Sequence, residues 1–164
     1  MSKWVFVVIL GLSPYSLAAE NCVDVLGTYL TTKTDTSGVD KGMVGRTILS
    51  LAPAGFATMT DSAQDGVQGY QAFGMMQGSW SCSQGADGIT SVAVTLLDFS
   101  YPNEARPNAK VALIEITGAI SAKSGGISGN TRVKLYPIEE DPFAGTKPAL
   151  DVGYTFNGLR LPKP

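Results

Sequence analysis

Apolar and polar residues alternate along most of the chain beyond residue 22, with a period of two. The pattern is clearest over 127–136, where Val133 and Leu135 share one face and Arg132 and Lys134 share the other. Alternation of this kind is typical of half-buried β-strands, and we find no sustained helical period with helix caps. The predicted strands are 25–33, 44–51, 56–62, 70–82, 91–101, 110–121, 127–136 and 150–157.

Short turns separate these segments. Pro53-Ala54-Gly55, Asp87-Gly88 and Ser124-Gly125-Gly126 are typical turn sequences, and the longest connection is 137–148. The pattern therefore predicts an all-β fold, an antiparallel up-and-down barrel of about eight strands. A sandwich is the alternative, but closure leaves no exposed strand edge. A barrel of about eight strands has room inside for side chains or for one small ligand.

The first segment has the order of a secretory signal peptide. Lys3 precedes an apolar run over 4–12, and the small residues Ser16, Ala18 and Ala19 follow. The run is shorter than the roughly 20 residues that span a bilayer. We therefore predict a signal peptide at 1–19, a single domain at 20–164, periplasmic or secreted localisation, and no membrane anchor in the mature chain.

Two cysteines, Cys22 and Cys82, are present in the predicted mature chain. An exported protein meets an oxidising compartment, where two cysteines allow one disulfide. Two free thiols are the alternative.

Composition excludes several classes of function. A formal net charge of −2 gives no electrostatic footprint for nucleic acid. The absence of histidine excludes histidine-dependent triads and histidine metal sites. We find no phosphate-binding loop and no metal-ligand spacing, so no cofactor or metal is expected.

The leading hypothesis is that the barrel holds a small, mostly apolar ligand in its interior. The predicted wall residues are Phe73, Ile114, Ile116, Val133, Tyr154 and Phe156. Alternation places Phe73 and Met75 on one face and Met76 and Trp80 on the other. The alternative for all of these side chains is an ordinary packed core.

Asp98 is the carboxylate with the best claim to an inward position. Its position has the same parity, odd or even, as those of Val94 and Leu96, so it lies on the same face of the predicted strand. The apolar residues then switch to the other face at Leu97 and Phe99, which predicts a bulge near Leu96. An interior carboxylate could orient a polar ligand or transfer a proton; the alternative is a rim residue facing water. Alternation directs Glu115 outward.

The chain resembles calycin-like small barrels, the group that includes lipocalins and avidins. Gly27-Thr28-Tyr29 lies where a lipocalin-type first strand has Gly-x-Trp, and Arg160 corresponds to the late arginine that crosses that aromatic residue. A second resemblance, to barrels of the allene oxide cyclase type, rests on the Tyr-Pro turn at 101–102 and the Gly-rich hairpin at 124–126. These resemblances imply a barrel that can hold a small molecule.

Two other functions stay open. One is a protein-binding module or inhibitor that contacts an envelope protein through the 63–70 or 137–148 loop. The other is a cyclase or isomerase that uses Asp98 or a tyrosine. Because histidine is absent, the enzyme is the least favoured of the three.

The predicted leader has a direct test. The intact mass of the protein exported from cells should correspond to a chain that begins at Ala19 or Glu20. A mass that includes the apolar run over 4–12 would contradict the prediction.

Overall fold

The computed structural model describes residues 22–37, 41–66 and 71–162, and the predicted signal peptide lies outside the described residues. The strands are β1 Gly27–Asp35, β2 Val44–Leu51, β3 Phe56–Asp61, β4 Met76–Gln84, β5 Ile89–Ser100, β6 Lys110–Ser121, β7 Gly126–Pro137 and β8 Leu150–Arg160. The short 3₁₀ segments are Val23–Val25, Pro53–Gly55 and Ala86–Gly88.

The strands form one closed antiparallel barrel in chain order, which confirms the predicted fold. Each strand pairs with the next one along the chain, and β1 also pairs with β8. That closing pair, which we call the seam, runs from Tyr29 opposite Arg160 to Asp35 opposite Tyr154. The seam satisfies the backbone groups that an open sheet would leave at its two edges.

Closure gives every strand one inward face, and these faces share one apolar core. Cross-strand partners such as Leu96, Ile114 and Val133 lie side by side on the inner surface. The largest side chains with less than 2 % of their surface exposed are Tyr29, Leu49, Leu96, Ile114, Ile116, Ile120 and Val25. Burying such side chains stabilises the fold by about 1.5–3 kcal/mol each.

The predicted bulge near Leu96 is wrong. β5 pairs with β6 without interruption from Ile89 to Ser100, so the inward parity continues past Leu96 to Asp98. Leu97 instead faces outward, where it packs against a second buried apolar cluster. That cluster consists of Val111, Leu113 and Tyr136. The apolar switch in the sequence therefore marks two packed faces of one regular strand.

The N-terminal segment closes one end of the barrel. The Val23–Val25 turn is tied to the barrel because the Tyr29 hydroxyl donates to the Val25 carbonyl at 2.6 Å and Arg160 donates to the Asp24 carbonyl. Val25 and Tyr29 are fully buried. Burial raises the pKa of the Tyr29 hydroxyl, and the neighbouring Arg160 opposes the rise.

The Cys22–Cys82 disulfide joins this N-terminal segment to β4, which confirms the predicted bridge. Its Cα atoms are 6.6 Å apart. Among the described residues, no helix has the length and apolar character needed to cross a membrane.

Removing the disulfide should destabilise the barrel without changing its fold. The cysteines are 60 residues apart, and the loop-closure entropy of such a bridge is worth up to about 4 kcal/mol. A double variant with Cys22→Ser and Cys82→Ser should lose free energy of unfolding up to that amount in urea denaturation. Reduction of the wild type should reproduce the loss, and an unchanged midpoint in both experiments would contradict the prediction.

Candidate functional site

The two ends of the barrel differ in their connections and in the exposure of their inward side chains. The closed end has the short turns that join β2 to β3, β4 to β5 and β6 to β7. The other end, which we call the mouth, has the longer connections that follow β1, β3, β5 and β7. Inward side chains near the closed end, such as Ile120 and Ile127, have at most 2 % of their surface exposed. The inward apolar side chains are therefore buried at the closed end, and toward the mouth several of them are partly exposed.

One wall of the mouth is apolar and is built by β6, β7 and β8. Val133 lies opposite Val152, and Leu135 lies opposite Leu150, all with inward parity. Val133 and Leu135 are half-buried, and Leu150 has 37 % of its surface exposed. This wall therefore presents aliphatic surface that a ligand could cover.

The facing wall is polar and is built by β1, β2 and β3. Lys33 forms an ion pair with Asp61, and the Thr31 and Thr47 hydroxyls are hydrogen-bonded to each other. The Lys33 ammonium also lies 4.9 Å from the centre of the Tyr154 ring, across the seam. This cation–π contact and the ion pair hold the ammonium between the two walls.

Gly45 makes room for the Lys33 side chain on the inner surface. A Cβ atom at position 45 would lie 2.7 Å from Cε of Lys33. The Asp61 side chain is only 5 % exposed, whereas that of Lys33 is 21 % exposed. The carboxylate is therefore buried behind the ammonium, and the ammonium is the charged group that a ligand in the mouth can reach.

The alternation of apolar and polar residues does not predict this polar wall. Lys33 shares its parity with Tyr29 and Thr31 within the predicted first strand, and that parity was the available signal. The ion pair itself depends on β3, and the ring contact depends on β8, so neither follows from the local pattern.

Three of the predicted wall residues lie deep in the core. Ile114 and Ile116 are 1 % and 2 % exposed, and Phe156 is 7 % exposed. The Phe156 ring lies over Gly118 of the inner surface, since a Cβ at position 118 would be 3.2 Å from the ring. These side chains pack against one another, so they form the floor of the mouth.

Phe73, Val133 and Tyr154 are the predicted wall residues that lie at the mouth. Phe73 bridges to Ser100 at the end of β5 and packs against the main core. The predicted face assignment is wrong here, because Phe73 joins the core that contains Met76, while Met75 is 50 % exposed. The chain leaves the strand pattern between these residues, since β4 begins at Met76 rather than at residue 70.

Asp98 points inward, as its parity predicts, and is 6 % exposed. Its Oδ1 atom accepts hydrogen bonds from the backbone N–H groups of Gly74 at 3.1 Å and Phe99 at 2.7 Å. A Cβ at position 74 would lie 2.9 Å from that oxygen, so glycine permits the approach. Burial raises the pKa of the Asp98 carboxyl, and the two hydrogen bonds oppose the rise. The carboxylate thus holds the segment before β4 against β5.

Glu115 has the outward parity that alternation predicts, and its carboxylate pairs with Lys134 at 2.6 Å. The described residues contain no cluster of three or more side chains suited to hold a metal ion. Comparisons with models of protein families, with curated proteins and with solved structures gave no match for this chain.

The Asp98 contacts predict how stability depends on pH. Because the native pKa is raised, the folded protein binds this proton more tightly than the unfolded chain does. The wild type should therefore lose stability relative to Asp98→Asn as the pH rises from the usual aspartate pKa, about 3.9, through the raised native value. Urea denaturation of both proteins across this range measures the difference.

The Asp98→Ala variant is the matched control. It removes the acceptor of both N–H groups, so it should be destabilised by about 1–3 kcal/mol at any pH in this range. Wild type that gains stability over Asp98→Asn with rising pH would contradict the assignment.

Proposed function

We propose that this protein is a calycin-like binding barrel that holds a small amphipathic molecule in its mouth. The observation that carries the proposal is the change in burial of the inward apolar side chains, from buried Leu51, Ile120 and Ile127 at the closed end to partly exposed Val133, Leu135 and Leu150 at the mouth. Small-molecule sites are concave and mostly apolar with a few placed polar groups, and the mouth of a β-barrel is a common location for them.

The packed floor limits how far the ligand enters. Ile114, Ile116 and Phe156 occupy the middle of the barrel, so a long chain threaded through the interior does not fit this packing. A short apolar group placed against Val133 and Leu150 leaves its polar end toward Lys33. The ligand is therefore small, and its apolar part covers the wall formed by β6, β7 and β8.

Export is part of the proposal. The Cys22–Cys82 disulfide is of the kind that persists in oxidising compartments, and it fastens the segment that plugs the closed end. A binding barrel that works outside the cytoplasm gains stability from such a bridge.

A protein-binding module is the second candidate, because the connections at the mouth expose large apolar side chains. Tyr101 is 55 % exposed, Ile138 is 47 % exposed and Phe143 is 63 % exposed. Aromatic side chains of this kind act as anchors in protein interfaces. The cyclase or isomerase alternative has less support, because the Asp98 carboxylate is engaged by two backbone N–H groups.

Titration with a fluorescent fatty-acid analogue of short chain tests the leading proposal. The mature wild type should bind it saturably, and Leu150→Trp should weaken the binding by at least about tenfold because the indole covers the apolar wall. Ser128→Trp, an exposed outward position of β7, is the matched control and should bind as the wild type does. Near-ultraviolet circular dichroism verifies that each variant is folded.

Absence of saturable binding to the folded wild type would contradict the ligand proposal and leave the protein-binding candidate. Equal weakening by Leu150→Trp and Ser128→Trp would contradict the assignment of the site to the mouth.

A further inference from the structure

The outer surface of the barrel has a second concave feature, separate from the mouth. It is an open groove of about 830 Å³ that crosses β5, β6, β7 and β8. This volume is within the range of about 300–1,000 Å³ that small-molecule sites occupy. The outward side chains that line it are Ala93, Thr95, Glu115, Thr117, Asn130, Arg132 and Asp151.

Small residues keep the groove open where it meets the seam. Gly153 contributes no side chain, and a Cβ there would lie 3.1 Å from Oγ1 of Thr36. Thr36 donates through Oγ1 to the Gly153 carbonyl at 2.8 Å, and Gly153 N–H donates to Oγ of Ser37 at 2.8 Å. These contacts fix the residues after β1 as one border of the groove.

The charges around the groove cancel in pairs. Arg132 binds Asp151 through two hydrogen bonds, at 2.7 Å from Nε and 2.5 Å from Nη2. Lys134 pairs with Glu115 at 2.6 Å. The groove therefore has no net charge to attract an ionic ligand or a charged polymer.

The uncharged polar groups that line the groove are hydroxyl and amide groups. Thr117 and Asn130 are cross-strand partners, and both are exposed. Threonine hydroxyls and asparagine amides both donate and accept hydrogen bonds. Within the Arg132–Asp151 pair, the guanidinium keeps N–H groups that are not directed at Asp151, and the carboxylate oxygens keep further lone pairs. The hydroxyls of a sugar can bond to both, because each hydroxyl both donates and accepts.

We propose that this groove is a binding site for a neutral oligosaccharide. The paired charges favour an uncharged ligand over an ion, and the extent of the groove over four strands fits a chain of several sugar units. The site is on the opposite face of the sheet from the mouth, so the proposal does not depend on the proposed function.

Nuclear magnetic resonance titration of the mature protein tests the proposal. The probes are neutral linear hexasaccharides, namely maltohexaose, cellohexaose and chitohexaose. At least one should shift backbone amides near Ala93, Thr117 and Asn130 in a saturable way. Thr117→Trp should weaken that binding by at least about tenfold because the indole fills the groove. Thr60→Trp, an outward threonine of β3 outside the groove lining, is the matched control.

The expected result is weakened binding in Thr117→Trp and wild-type binding in Thr60→Trp, with both variants folded. Failure of all three hexasaccharides to give saturable shifts would overturn the proposal. So would shifts confined to residues outside the groove, or equal binding by Thr117→Trp and the wild type.

Discussion

Pairing of the first strand with the last is the interaction on which the rest of the structure depends. It turns a row of hairpins into a closed surface with a single interior, so that one face of every strand is buried. The seam also brings together side chains that are distant in sequence. Tyr29 meets Arg160 toward the closed end, and Lys33 approaches Tyr154 toward the mouth. Both ends of the barrel are therefore built on the seam.

The filled closed end and the mouth both follow from the antiparallel order of the strands. The chain enters at the closed end, where Cys22 and Val25 fill the opening and the disulfide holds them to β4. Antiparallel order then places all of the longer connections at the opposite end. In a barrel with one filled end and one end bounded by connections, those connections can vary in sequence without disturbing the core.

Local pattern was sufficient to predict the strands and the closed barrel, because period-two alternation and turn residues act within a few positions. The local pattern was insufficient to place side chains that pack against strands distant in sequence. The change of apolar face at Leu97 predicts a bulge when β5 is considered alone. In the barrel, Leu97 packs with Leu113 of β6 and Tyr136 of β7 on the outer face. From the local pattern Lys33 is only a polar residue of the first strand, and closure of the barrel brings its ammonium to 4.9 Å from the centre of the Tyr154 ring.

The candidate site was predictable in part for the same reason. Parity placed Val133, Tyr154 and Asp98 on the inner surface, and it also placed Ile114 and Ile116 there. Parity contains no information on depth, so it did not separate the side chains of the mouth from those of the packed floor. Depth follows from which end the N-terminal segment fills, and that depends on the disulfide and on the Tyr29 and Arg160 contacts.

Amide hydrogen exchange, measured residue by residue on the folded protein, tests closure most directly. In a closed barrel, the β1 and β8 amides bonded across the seam should exchange as slowly as those bonded between β5 and β6. Rapid exchange confined to the facing edges of β1 and β8, with slow exchange in the other strands, would show an open sheet and contradict the account.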